Sequence, residues 1–170
     1  DKYLHSKPLV LQIPIGSEEN FSGIVDLVRM KAYKYIDDLG TKFEQIEIPE
    51  SVSSTVKEYR IKLLETVAGE DGDILEKFLT EPGKITDLEI ISVVRQLTIM
   101  GKVVPVLAGS SLKNKGVQLL LDAVVDYLPS PFEVPSVSGL QLNTNKIIKR
   151  QASIEEPLSA LAFKVQTDPY

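Results

Sequence analysis

The chain has 170 residues, 43% of them hydrophobic and 25% charged, with a formal net charge of −5, one histidine and no cysteine. Such a composition fits one soluble globular domain, or one domain with pieces of its neighbours, and excludes a disordered or fibrous chain, a disulfide scaffold and a thiolate metal site. No apolar run approaches the ~20 residues of a membrane-spanning helix, no secretory pattern is present, and the acidic balance supplies no general attraction to a phosphate backbone. Local RNA contacts stay open, because nineteen basic residues are spread along the sequence without aromatic interleaving. The lack of cysteine fits a reducing cytoplasm. His5 has no second ligand of its type and reads as an exposed polar residue near a chain end.

Leu9 to Ile15 is a β-rich apolar run broken by Pro14, and Gly16-Ser17-Glu18-Glu19-Asn20 is turn chemistry. Phe21 to Val28, Met30 to Ile36 and Phe43 to Ile48 read as three further strands, the last two joined through the turn Asp37-Asp38-Leu39-Gly40. Together they predict an antiparallel sheet. From Pro49 the period becomes helical: Val52, Val56, Tyr59, Leu63 and Val67 form one stripe, and Gly69 is placed to end the helix. A short helix is expected around Ile74 to Leu79. Thr86-Asp87-Leu88-Glu89 is a capping box opening a third helix that runs to about Met100.

The stretch that follows is the most informative. Val103 to Leu107 reads as a buried strand, Gly109-Ser110-Ser111-Leu112 as a small polar loop, and Val117, Leu120, Leu121, Val124 and Leu128 as the apolar stripe of an amphipathic helix. Pro129-Ser130-Pro131 and Pro135 end that helix, Ser138-Gly139 and Asn143-Thr144-Asn145 are turn-rich, and Leu158 to Val165 reads as a strand. The chain lacks an initiator methionine and its last residue follows Asp168-Pro169 directly after that run, as expected of a segment cut from a longer protein.

Three patches in this order resemble the elongation factor G family of translational GTPases: LQIPIGSEENFSGIVDLV near the start, GSSLKNKGVQ followed by LLDAVVDYLPSP, and EEPLSALAFKVQTDPY at the end. The resemblance spans nearly the whole chain and is weakest between Asp37 and Gly101. It implies an α/β architecture, with an α+β insert inside a phosphate-binding-loop GTPase domain and the first strand of a β-barrel after it. The expected divisions are a GTPase segment at 1–15, the insert known in this family as G-prime at 16–101, the closing strand, guanine loop and helix at 102–130, a linker at 131–153 and the start of the barrel at 154–170.

The resemblance also implies the site. The backbone around Ser111 and Leu112 would face guanine, and the Ser110 hydroxyl would brace the acidic residue that reads the base in the family's fourth motif. Fixed backbone N–H donors reward guanine's carbonyl oxygen and leave adenine's amino group facing another donor. The family usually has alanine where this chain has Ser111. Taken alone, the same residues could be a loop capping a helix with no ligand.

The rest of the GTPase apparatus is missing. Neither Gly83-Lys84-Ile85 nor Gly101-Lys102-Val103 continues with the Ser or Thr of a phosphate-binding loop, and Asn114-Lys115-Gly116-Val117 lacks the aspartate of N-K-x-D. Asp37-Asp38-Leu39-Gly40 matches D-x-x-G only as hairpin-turn chemistry. GTP or GDP with Mg²⁺ is therefore expected in the intact protein, while the segment alone is expected to bind no cofactor and hydrolyse nothing.

Glu65, Glu70, Asp71 and Asp73 form an acidic cluster. In the family the corresponding helices receive the basic C-terminal domain of the ribosomal stalk protein; the plain alternative is a solvated face. The resemblance thus implies a cytoplasmic, monomeric partner of the ribosome, with no membrane, acting in the translocation step of protein synthesis. Another ribosome-bound GTPase of the protection or release-factor type, and a free-standing α+β interaction module, are the competing readings. Tyr33, Tyr35 and Tyr59 read as packing residues, and Glu18-Glu19 as loop.

Overall fold

A computed structural model describes residues 7–141 and 143–165, which form two compact units divided between Leu128 and Pro129. The first begins with β1 (Pro8–Val10) and β2 (Gln12–Ile15), which together occupy the single apolar run expected to be one strand. Leu11 lies between them and serves both sheets: its N–H donates to Val106 O, and its carbonyl accepts from Leu27 N, each at 2.9 Å. The run divides because hydrogen-bond partners change at Leu11, not because its apolar character does.

β2, β3 (Gly23–Asp26), β4 (Lys31–Tyr35) and β5 (Phe43–Ile46) make the expected antiparallel sheet in sequential order. Pro14 does not break β2. It stands opposite Ile24 on an edge strand, where a residue without an N–H costs no ladder bond on the open side. β3 stops at Asp26, earlier than expected, because the Asp26 carboxylate accepts from Val28 N and Arg29 N and turns the chain.

Opposite residues share a face, so the registers Ile13↔Val25 and Ala32↔Ile46 place one apolar set together, and Gln12↔Asp26, Ile24↔Tyr33 and Tyr35↔Phe43 place a mixed polar and aromatic set on the reverse side. The first set joins the main core with α1 (Glu50–Ala68) and α3 (Asp87–Ile99). The α1 stripe is as expected, with Val56, Leu63 and Val67 buried and Val52 and Tyr59 packed beside them. Gly69 ends this helix in ordinary right-handed geometry, φ −67°, so its special freedom is not used. α2 (Gly72–Thr80) follows, capped by Asp71, and α3 opens with the full reciprocal capping box of Thr86 and Glu89.

After α3 the chain returns as β6 (Val104–Val106), which pairs in parallel with β1, so the four-stranded sheet and three helices lie between two neighbouring parallel strands. The strand is shorter and more exposed than expected. Val104 and Val106 are exposed, because among the described residues β6 pairs with β1 alone.

α4 (Val117–Tyr127) also departs from expectation: it packs through Ala123, Tyr127 and the half-buried Leu119, while Leu120, Leu121, Val124 and Leu128 of the expected stripe are exposed. Apolar residues occupy more than half of this helix, so periodicity permits two stripes. Polar anchors choose between them. Arg29 Nη2 holds Asp126 Oδ2 at 2.9 Å, and Arg95 Nη1 donates to the Val125 and Asp126 carbonyls at 3.1 Å each.

In the second unit, β7 (Val137–Leu140) and β8 (Ile147–Arg150) form an antiparallel hairpin within the stretch expected to be linker. The expected strand at Leu158–Val165 is absent. Those residues are exposed and have no pairing segment among the described residues, and a strand exists only by pairing. Over residues 154–165, then, no strand of the expected barrel start is formed. His5 and the residues from Gln166 onward lie outside the described residues.

Candidate functional site

The loop from Gly109 to Gly116 joins β6 to α4 and is closed by its own backbone. Ser110 N donates to Lys115 O at 2.7 Å and Lys115 N returns a bond to Ser110 O at 3.0 Å, forming an isolated antiparallel bridge across the loop. Asn114 N donates to Ser111 O at 3.1 Å, with Asn114 in the left-handed region at φ +53°. Gly116 completes the closure at φ +92°. A Cβ there would lie 2.8 Å from Ala108 O and 3.0 Å from the Gly109 Cα, so glycine is required by both dihedral and space.

This closure sorts the donors. The Ser110 N–H is spent on the bridge, whereas among the described residues no hydrogen bond uses the N–H of Ser111 or Leu112. Both residues are exposed, Leu112 almost completely at 95%. Two successive exposed amides on a loop held at its base can donate to a carbonyl-type acceptor without first breaking an internal bond. Ser110, Ser111 and Leu112 are thus one structural group, although only the last two keep their amides available.

The reverse face of the four-stranded sheet supports this loop through residues whose role was not read from sequence. Tyr35 is buried and its hydroxyl accepts from the buried Gly116 N–H at 2.6 Å. Burial pushes the Tyr35 phenol above its ordinary value, while the Gly116 bond pulls the other way. Gln12, buried at the edge of β2, accepts from Ala108 N at 3.2 Å. From the far side, Gln118 Nε2 donates to Gly40 O at 2.9 Å and Asn114 Nδ2 to Leu39 O at 3.3 Å. Gly40, at φ +63°, lets the β4–β5 turn approach so closely that an added Cβ would sit 2.4 Å from Lys113 O. In that same turn the Asp37 carboxylate accepts from Thr41 and Lys42, and these bonds, led by the Thr41 hydroxyl, hold it below the usual carboxylate range.

The acidic cluster is less uniform than its sequence suggests. Asp71 accepts from Asp73 N and Ile74 N at 3.0 Å each and is the cap of α2. Glu70 pairs with Lys102 at 2.7 Å. Glu65 and Asp73 are exposed. The four residues lie near the α1–α2 junction, but two of them already have structural partners. Among the described residues no group of three or more potential ligands could hold a metal ion, and no helix is long and apolar enough to cross a membrane.

No protein-family model matches the sequence. Among solved structures, the chain is similar to a protein of Thermus thermophilus whose crystal structure carries no functional name, at a TM-score of 0.62 and 25% identity over 75% of this chain. This chain spans 19% of the length of that one, so the likeness is to one part of a much larger polypeptide. The likeness supports a mixed α/β fold with several sheets and four helices in the described residues, and it brings no activity with it.

Proposed function

We propose that this chain is a segment of an elongation factor G-type translational GTPase, and that its Gly109–Gly116 loop forms part of the guanine pocket of the intact protein. The observation that carries this is the loop itself: it leaves a parallel strand, enters a helix, is cross-braced at Ser110 and Lys115, and keeps the Ser111 and Leu112 amides available. Two parallel neighbours, β1 and β6, separated in sequence by an α+β insert, fit the same reading. Guanine presents a carbonyl oxygen where adenine presents an amino group, so two fixed N–H donors discriminate by satisfying one and opposing the other. The intact protein would supply phosphate and Mg²⁺ contacts elsewhere, hydrolyse GTP on the ribosome and drive movement of transfer and messenger RNA. The α1–α2 junction would receive the basic stalk domain.

The test is nucleotide binding by the intact protein with Ser111→Pro and Ser111→Ala. Proline removes the amide and restricts Ser110, so GDP affinity should fall about tenfold or more, equivalent to about 1.4 kcal/mol. Alanine keeps the amide and should be close to neutral. Equal losses from both would place the contact in the hydroxyl. Unchanged affinity in both would remove the loop from the pocket.

A further inference from the structure

The β4–β5 hairpin belongs to the expected insert, yet three of its polar contacts reach the loop and the first turn of α4. Tyr35, Leu39 and Gly40 each engage Gly116, Asn114 or Gln118, and the turn approaches so closely that only glycine fits at position 40. We propose that Tyr35 is a positioning residue for the guanine loop, so that the insert sets how long guanine nucleotide stays bound. This inference rests on the reading of the loop given above.

The hydroxyl of Tyr35, not its ring, links the hairpin to the loop. The ring of Tyr35 is packed with Phe21 and Ile24 and meets Phe43 at 5.6 Å between centroids, a role that phenylalanine would fill equally well. The oxygen contributes the bond to Gly116 N, a buried donor immediately before α4. Without that acceptor the Gly116 amide must find water or turn away, and a buried donor without a partner is unstable. Gly116 follows Lys115, whose N–H and C=O both close the loop on Ser110. Rotation at Gly116 therefore acts directly on the bridge that keeps Ser111 and Leu112 at the loop's tip. No contact with the nucleotide is assigned to Tyr35 itself.

The experiment compares Tyr35→Phe with Phe43→Leu, which loosens the same ring packing but leaves the hydroxyl. Amide exchange at Gly116 is measured by NMR in the 170-residue chain, and GDP dissociation by stopped flow in the intact protein. Tyr35→Phe should speed Gly116 exchange about tenfold and GDP dissociation several-fold, whereas Phe43→Leu should lower the unfolding midpoint and leave dissociation near wild type; tenfold corresponds to about 1.4 kcal/mol. Faster exchange with unchanged dissociation, or equal dissociation from the two variants, would overturn the inference. A wild-type intact protein that fails to prefer GDP over ADP would sink the functional reading and this inference with it, an outcome distinguished because no substitution is involved.

Discussion

Gly116→Ala isolates the close packing of the loop when it is set against Gly101→Ala. Both glycines have positive φ, +92° and +68°, so alanine introduces backbone strain of about 1–3 kcal/mol at either position. Their surroundings differ. Nothing lies within 4 Å of a Cβ built on Gly101, whereas one on Gly116 meets Ala108 O at 2.8 Å, the Gly109 Cα at 3.0 Å and the Ile24 side chain at 3.0 Å. Two of those neighbours are backbone and cannot rotate away, so overpacking adds about 1–3 kcal/mol at Gly116 alone. With an m-value of about 2 kcal/mol per molar urea, the Gly116 variant should unfold roughly 0.5–1.5 M urea below the Gly101 variant. Ellipticity at 222 nm is the probe, because the four α-helices of the described residues all lie in the first unit. Equal midpoints for the two variants would mean that the contacts around Gly116 relax at no cost, and the loop would then lack the rigidity that its proposed role requires.

Two further outcomes follow from the same structure. Glu89 is held near pKa 2, first by its hydrogen bond with Lys77 and then by the Thr86 bonds, well below its ordinary value of 4.5. A carboxyl depressed by folding stabilises fully above its unfolded value and loses that effect as protons bind the native state, so the stability advantage of wild type over Glu89→Gln should be full at neutral pH and shrink as pH falls from 4.5 through about 2. Urea midpoints across that range check the sign; an advantage that grows on acidification would refute it. For the acidic cluster, Glu65, Glu70 and Asp73 changed together to Lys should slow association with a basic stalk domain at low salt and matter less at moderate salt, since each exposed pair is worth only about 0.2–1 kcal/mol. Association as fast as wild type at both salt levels, with the fold intact by circular dichroism, would leave the cluster a solvated face. Asp71 is kept in that variant because losing its cap would cost about 0.5–2 kcal/mol on its own.

What could be read from sequence was local. The capping box needs only Thr86 and Glu89 in their own turn, and the α1 stripe needs only its own periodicity, so both stand in the structure as expected. The division of the first apolar run at Leu11 could not be read, since Leu9, Leu11 and Ile13 are all apolar and all buried. What separates β1 from β2 is that one finds β6, far along the chain, and the other finds the adjacent β3. The rotation of α4 was hidden for a related reason. Its winning face is set by Arg29 and Arg95, residues on other elements, and not by the count of apolar side chains along the helix. The Leu158–Val165 segment has strand composition and, among the described residues, no pairing segment, which composition cannot reveal.

The site shows the same limit in a more consequential form. The small residues of the loop were legible because a tight, amide-presenting turn demands them, and Gly109 and Gly116 indeed stand where a Cβ would press on the opposite arm. Its support was not legible, because each supporting residue has an adequate local explanation: Tyr35 is a strand aromatic, Gly40 a hairpin glycine, Gln12 an edge-strand polar residue. Only tertiary placement gives them a shared object. Gln12 Oε1 reaches Ala108, Tyr35 Oη reaches Gly116, and the Gly40 carbonyl reaches Gln118, so three contacts from one sheet and its turn fall just before, at the close of and just after a single loop. A loop braced at those three points can leave its tip amides free without collapsing onto them, which a short, glycine-bounded loop could not do by local chemistry alone.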